Sequence, residues 1–176
     1  MTDAYRLAKC IDWSWGLTNS HRLLGQLQLS RGHYAAAELH LRDCIQLARA
    51  RHLQMLLVEA TIALGYALQW QDRLVEAGDC YAESLQLTEE LQIKSLRALV
   101  LWVRGCLAEQ QRAYAAARVF FTDSLAAGNV VQANKALPTL GWALIGLGEL
   151  TEAQAYFQQV CDDAEQRHAH PIQLDA

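Results

Sequence analysis

The chain has 176 residues, 52% of them hydrophobic, and a formal charge of −4. That is ample material for a core, and the mild acidity argues against a nucleic-acid binder, which usually carries a basic patch. No apolar stretch reaches ~18 residues without a charge, so no segment reads as membrane-spanning. The N-terminal MTDAYRLAKC lacks the charged-then-apolar layout of a signal peptide. The five cysteines are an odd number without a C-x-x-C pair. They read as buried, reduced thiols of a cytoplasmic protein.

The elements are predicted all helical. Pro occurs only at 138 and 171, so long helices go uninterrupted. Residues 17–30 carry Leu17, Leu23, Leu24 and Leu27 at helical spacing, then break at Ser30-Arg31-Gly32. Residues 33–50 follow, with Tyr34, Ala37, Leu41, Cys44, Ile45 and Ala48 on one face. Further helices are expected over 54–70, 73–91, 94–110, 113–127, 131–146 and 149–167. Breaks of two or three residues force antiparallel neighbours.

The helices come in pairs that repeat. Gly25, Gly65, Gly105 and Gly141 are spaced 40, 40 and 36 residues apart. Twelve residues after each stands Ala37, Ala77, Ala117 or Ala153, and four further Leu41, Tyr81, Phe121 or Phe157. The stretches RGHYAAAELHLRDC (31–44) and QRAYAAARVFFTDS (111–124) are the same place in repeats one and three. Self-similarity at this period marks a helical array. Closely packed helices need a small residue where their axes approach, with a large knob beside it.

These positions resemble the tetratricopeptide repeat, W-x2-L-G-x2-Y followed by Ala, Phe and Pro. Leu-Gly stands as Leu24-Gly25, Leu64-Gly65 and Leu140-Gly141, with Arg104-Gly105 a departure. The tryptophan position instead holds His21, Thr61, Leu101 and Leu137, and the terminal proline is absent. The resemblance implies an all-α, right-handed α-α superhelix of about four helix-turn-helix repeats, near 17–53, 54–93, 94–129 and 130–168, with partial repeats at both ends. Residues 4–13 align with 44–53, and 165–170 with 49–54, so a single repeat domain cut from a larger protein is expected. Its open ends would allow a homo-oligomer.

The resemblance also implies that the first helix of each repeat lines a concave groove. The groove residues are then Arg22 and Gln26 in repeat one, Glu59, Tyr66 and Trp70 in repeat two, Trp102 and Glu109 in repeat three, and Lys135 and Trp142 in repeat four. Large aromatics with polar neighbours suit capture of a protein, a peptide or a small effector, because they bury much area at small entropic cost. The carboxylate clamp of chaperone-binding members would fall on Arg22, Gln26, Tyr66, Leu99 and Val103, where only Arg22 fits.

Enzyme chemistry finds no foothold. There is no G-x-x-x-x-G-K-[ST], G-x-S-x-G or H-E-x-x-H. GLGEL (146–150) reads as a turn. His168-Ala-His170 lacks flanking carboxylate or thiol ligands at metal-site spacing, and His52 and His168 read as solvent-facing loop positions. No catalytic residue, cofactor or metal is expected. The long period and EAGDCYAESLQLTEEL (76–91) are similar to the repeat arms of maltose-activator and LuxR-type regulators and related signal-transduction ATPases. The expected job is therefore a non-catalytic interaction or sensor arm of such a transcription or signalling regulator. The alternative is a stand-alone protein–protein scaffold.

Overall fold

The computed structural model describes residues 13–128 and 130–169. Among them stand eight α-helices and no strand: α1 (Ser14–Ser30), α2 (Tyr34–Ala50), α3 (Gln54–Gln69), α4 (Leu74–Glu90), α5 (Lys94–Gln110), α6 (Tyr114–Ala127), α7 (Val130–Leu147) and α8 (Leu150–Ala169). Each expected helix is present to within a few residues. One difference concerns His168, which lies within α8 rather than in a turn, because the helix runs on to Ala169. His170 lies outside the described residues.

One turn type joins nearly every pair of helices. The backbone is left-handed at Gly32 (φ 75°), His52 (φ 54°), Asp72 (φ 61°), Gln92 (φ 57°), Arg112 (φ 59°) and Gly148 (φ 81°). In each turn that residue's N–H bonds back three residues and the next N–H bonds back five. The first turn has Gly32 N to Leu29 O at 3.0 Å and His33 N to Gln28 O at 2.9 Å. This is the Schellman closure, which satisfies the orphan carbonyls of a helix end. The carbonyl of the following residue then accepts the first bond of the next helix, as His33 does from Ala37 at 2.9 Å. One turn thus ends one helix and begins another without a side-chain cap.

The α6–α7 junction departs from this rule. Helix α6 has 14 residues where α2 and α4 have 17, and Gly128 behind it is extended (φ −90°, ψ 175°). The shortened helix accounts for the last period being 36 rather than 40. Pro138 sits inside α7, which carries on through it at the cost of a backbone hydrogen bond.

The chain divides into two compact units, residues 1–93 and 94–176. In the first, α1 packs on α2, α2 on α3, α3 on α4, and α1 also touches α3. Contacted from several sides, α3 is buried almost all round, from Leu56 to Leu68. In the second, α5, α6, α7 and α8 pack in the same succession, with α5 also touching α7. Its core is built from Ala108, Ala117, Phe121, Leu140, Ala143, Leu144 and Ala153. Ser124 ties α6 to α5 through a buried hydrogen bond to the Ala98 carbonyl, at 2.7 Å.

The glycine register has a direct steric reason. A Cβ on Gly25 would sit 2.6 Å from Leu41, on Gly65 2.5 Å from Tyr81, on Gly105 2.3 Å from Phe121, and on Gly141 2.7 Å from Phe157. The large residue expected beside the close approach therefore seats directly on the glycine. Ala37, Ala77 and Ala117 are wholly buried and Ala153 nearly so.

Candidate functional site

In the first unit the structure gathers the expected residues into two neighbouring groups. Arg22, half-buried on α1, is the centre of the first. Its Nε and Nη2 donate to Asn19 Oδ1 at 3.0 and 2.8 Å, and its Nη1 donates to Gln26 Oε1 at 3.1 Å. The same guanidinium faces Glu59 Oε2 of α3 at 3.2 Å. This planar fork, with its fixed set of donors, spans two first helices.

The second group is aromatic. Tyr66 follows Glu59 by seven residues and so shares its face of α3. It meets Trp70 edge-on, with ring centroids 6.0 Å apart. Trp70 in turn stacks on Tyr34, the first residue of α2, at 5.8 Å and 11°. Trp70 is 57% and Tyr66 40% exposed, and Leu23 and Leu27 of α1 are exposed too. Trp70 therefore rests one face on Tyr34 and leaves much of the rest to solvent.

The second unit treats its aromatics differently. Trp142, at the position equivalent to Tyr66, is 57% exposed and meets Phe157 edge-on at 5.7 Å. Trp102 is only partly exposed, packs against the core cluster and has its indole nitrogen buried. Glu109, two turns further along α5, is half-buried, and burial pushes its carboxyl above the ordinary range. Lys135 lies on α7, with its side chain outside the described residues.

Several features were not foreseen. Glu38 of α2 accepts from Arg42 at 2.8 Å, from Gln71 at 3.1 Å and from Arg73 at 2.7 Å, and Arg73 also pairs with Glu76 at 2.6 Å. Burial pushes the Glu38 carboxyl up, but these donors outweigh it and hold the group below the ordinary range. The signal was available in Arg42, Arg73 and Glu76, yet pairing them required the α2–α4 geometry. His21, His40 and Asp43 also come together, where α1 meets α2. Burial lowers the His21 imidazole below its usual value, partly offset by Asp43.

The thiols divide. Burial pushes Cys44 and Cys80 up to about 11 and Cys106 up to about 12. Cys161 corrects the expectation of buried thiols: it stands exposed on α8. Cys10 lies outside the described residues. No described helix is long and apolar enough to cross a membrane.

The tetratricopeptide-repeat family model matches residues 136–162, across the α7–α8 pair. No curated protein matches the sequence at a significant level. Solved structures match it in fold. BtubC (BKLC) from P. vanneervenii aligns at TM-score 0.79 and 18% identity, over 93% of this chain and 69% of that one. The apo form of RapI aligns at 0.77 and 14%, over 85% and 57%. Aspartyl phosphate phosphatase F from Bacillus subtilis aligns at 0.66 and 13%, over 85% and 49%. The chain thus spans little more than half of RapI and about half of the phosphatase. At such identities the likeness is one of fold: an all-α tetratricopeptide-type helical repeat.

Proposed function

We propose that this tetratricopeptide-type repeat chain is a non-catalytic binding module. Its first-helix faces would hold a protein or peptide segment, or a small effector: in the first unit through Tyr66 and Trp70, with Arg22, Gln26 and Glu59 as polar neighbours, and in the second through Trp142. Trp102, Glu109 and Lys135 complete the proposed set. The module would serve as an arm of a larger bacterial-type transcription or signalling regulator.

One observation carries the reading. Trp70 is more than half exposed although packing does not demand a tryptophan there. The equivalent position in the second unit is Gly146, and Tyr114 seats on it as Tyr34 seats on Trp70. An exposed indole flanked by Tyr66 and a polar cluster suits an anchor for a partner's apolar side chain.

The test is affinity capture with the full chain as bait and a Tyr66/Trp70/Trp142→Ala variant as control. The expected result is a partner or metabolite retained by the wild type and lost by the variant, with helix content unchanged. The same retained set on both baits would overturn the assignment of the surface.

A further inference from the structure

The packing of α1 on α2 brings together three side chains that the proposed binding surface does not use. His21 comes from α1 and is 8% exposed. His40 and Asp43 come from α2, three residues apart and so on one helix face. One ligand atom from each lies within 4.8 Å of the other two. His21 Nδ1 stands 3.5 Å from Asp43 Oδ2, and the two imidazole rings have centroids 5.8 Å apart.

This trio belongs to the first repeat alone. The positions equivalent to His21 hold Thr61, Leu101 and Leu137, those equivalent to His40 hold Cys80, Phe120 and Tyr156, and those equivalent to Asp43 hold Glu83, Asp123 and Gln159. The other repeats therefore pack without either histidine, while an acidic residue recurs at the Asp43 position in repeats two and three. A buried imidazole is an expensive substitute for Thr or Leu unless its nitrogens are used.

We propose that His21, His40 and Asp43 form a binding site for a divalent transition-metal ion of the Zn2+ class, clipping α1 to α2. Two imidazole nitrogens and one carboxylate oxygen select such an ion over Ca2+ or Mg2+, which take oxygen ligands. Zinc binds nitrogen and oxygen at about 2.0–2.1 Å, which sets tetrahedral ligand atoms about 3.3 Å apart. Small rotations of His40 and Asp43, both on the accessible side, close the trio to that spacing. The exposed Asp43 leaves an entry path and a coordination position for water. The buried His21 fixes the inner end.

The experiment uses the full chain stripped of metal by a chelator. Zn2+ is titrated by calorimetry, Co2+ is followed by visible absorption, and melting is recorded with and without Zn2+. The wild type is expected to bind one ion per chain, to show the cobalt bands of a nitrogen–oxygen site, and to melt higher with Zn2+. His40→Gln and Asp43→Asn lie outside the core and should keep the fold. Each is expected to weaken binding roughly tenfold or more and to abolish the melting shift. A wild-type chain that binds neither ion, or a His40→Gln/Asp43→Asn double variant that binds as the wild type does, would overturn the site.

Discussion

Tyr34 and Tyr114 open the same four-residue word in two units, and they rest on different things. Tyr34 lies flat on the Trp70 ring. Tyr114 lies on Gly146, where a Cβ would come 2.5 Å from its ring. Both tyrosines are half-buried. The packing demand is therefore met once by an indole and once by bare backbone. The difference shows which part of Trp70 belongs to the fold and which does not: one face supports Tyr34, and the rest adds an exposed aromatic surface that the second unit lacks at that point.

The comparison breaks most sharply from the second unit. Gly146→Ala places a methyl against a rigid ring, and overpacking of this kind costs about 1–3 kcal/mol. Ala37→Leu and Ala117→Leu fill the wholly buried helix contacts and should cost a similar amount. Chemical denaturation of each variant measures this. Wild-type stability in Gly146→Ala would mean that Tyr114 moves aside freely. Trp70→Ala should cost less, about 0.5–1.5 kcal/mol, the worth of an aromatic pair. It should still remove binding by the first unit.

A smaller effect runs in the stabilising direction. His52, Asp72, Gln92 and Arg112 occupy a left-handed conformation that glycine holds at 32 and 148. Arg112→Gly should relieve strain of about 1 kcal/mol, less what glycine's freedom returns to the unfolded chain. Thermal melting should show a small rise for Arg112→Gly and none for a glycine placed on the exposed face of α5.

Much of this was legible in the sequence. Gly25, Gly65, Gly105 and Gly141 gave the register, because a steric rule at one atom leaves only one residue type open. The helix limits followed from apolar spacing. The left-handed turns at His52, Gln92 and Arg112 were hidden, since residues other than glycine can hold that conformation when a Schellman closure over-determines it. The burial of Trp102 was hidden as well: equivalence within a repeat tells which face a residue is on, not how close the next helix comes. His40-x-x-Asp43 was readable as a pair on one helix face. Its partner His21 needed the α1–α2 packing, and the missing tryptophan of the repeat pattern was the available sign of it.

The least perturbing comparison is between thiols. A thiol reacts as thiolate, and burial holds Cys44 and Cys80 at about 11 and Cys106 at about 12. At neutral pH only a very small fraction of such groups is ionised. Cys161 stands exposed on α8. Limited alkylation followed by peptide mapping should therefore mark Cys161 well before the other three. Raising the pH toward 10 should speed the reaction of Cys80, which is only partly buried, before that of Cys44, which must wait for its helix pair to open. Equal early labelling of Cys44 and Cys161 would mean that α1 and α2 separate readily, and that the first repeat is held far less firmly than its packing shows.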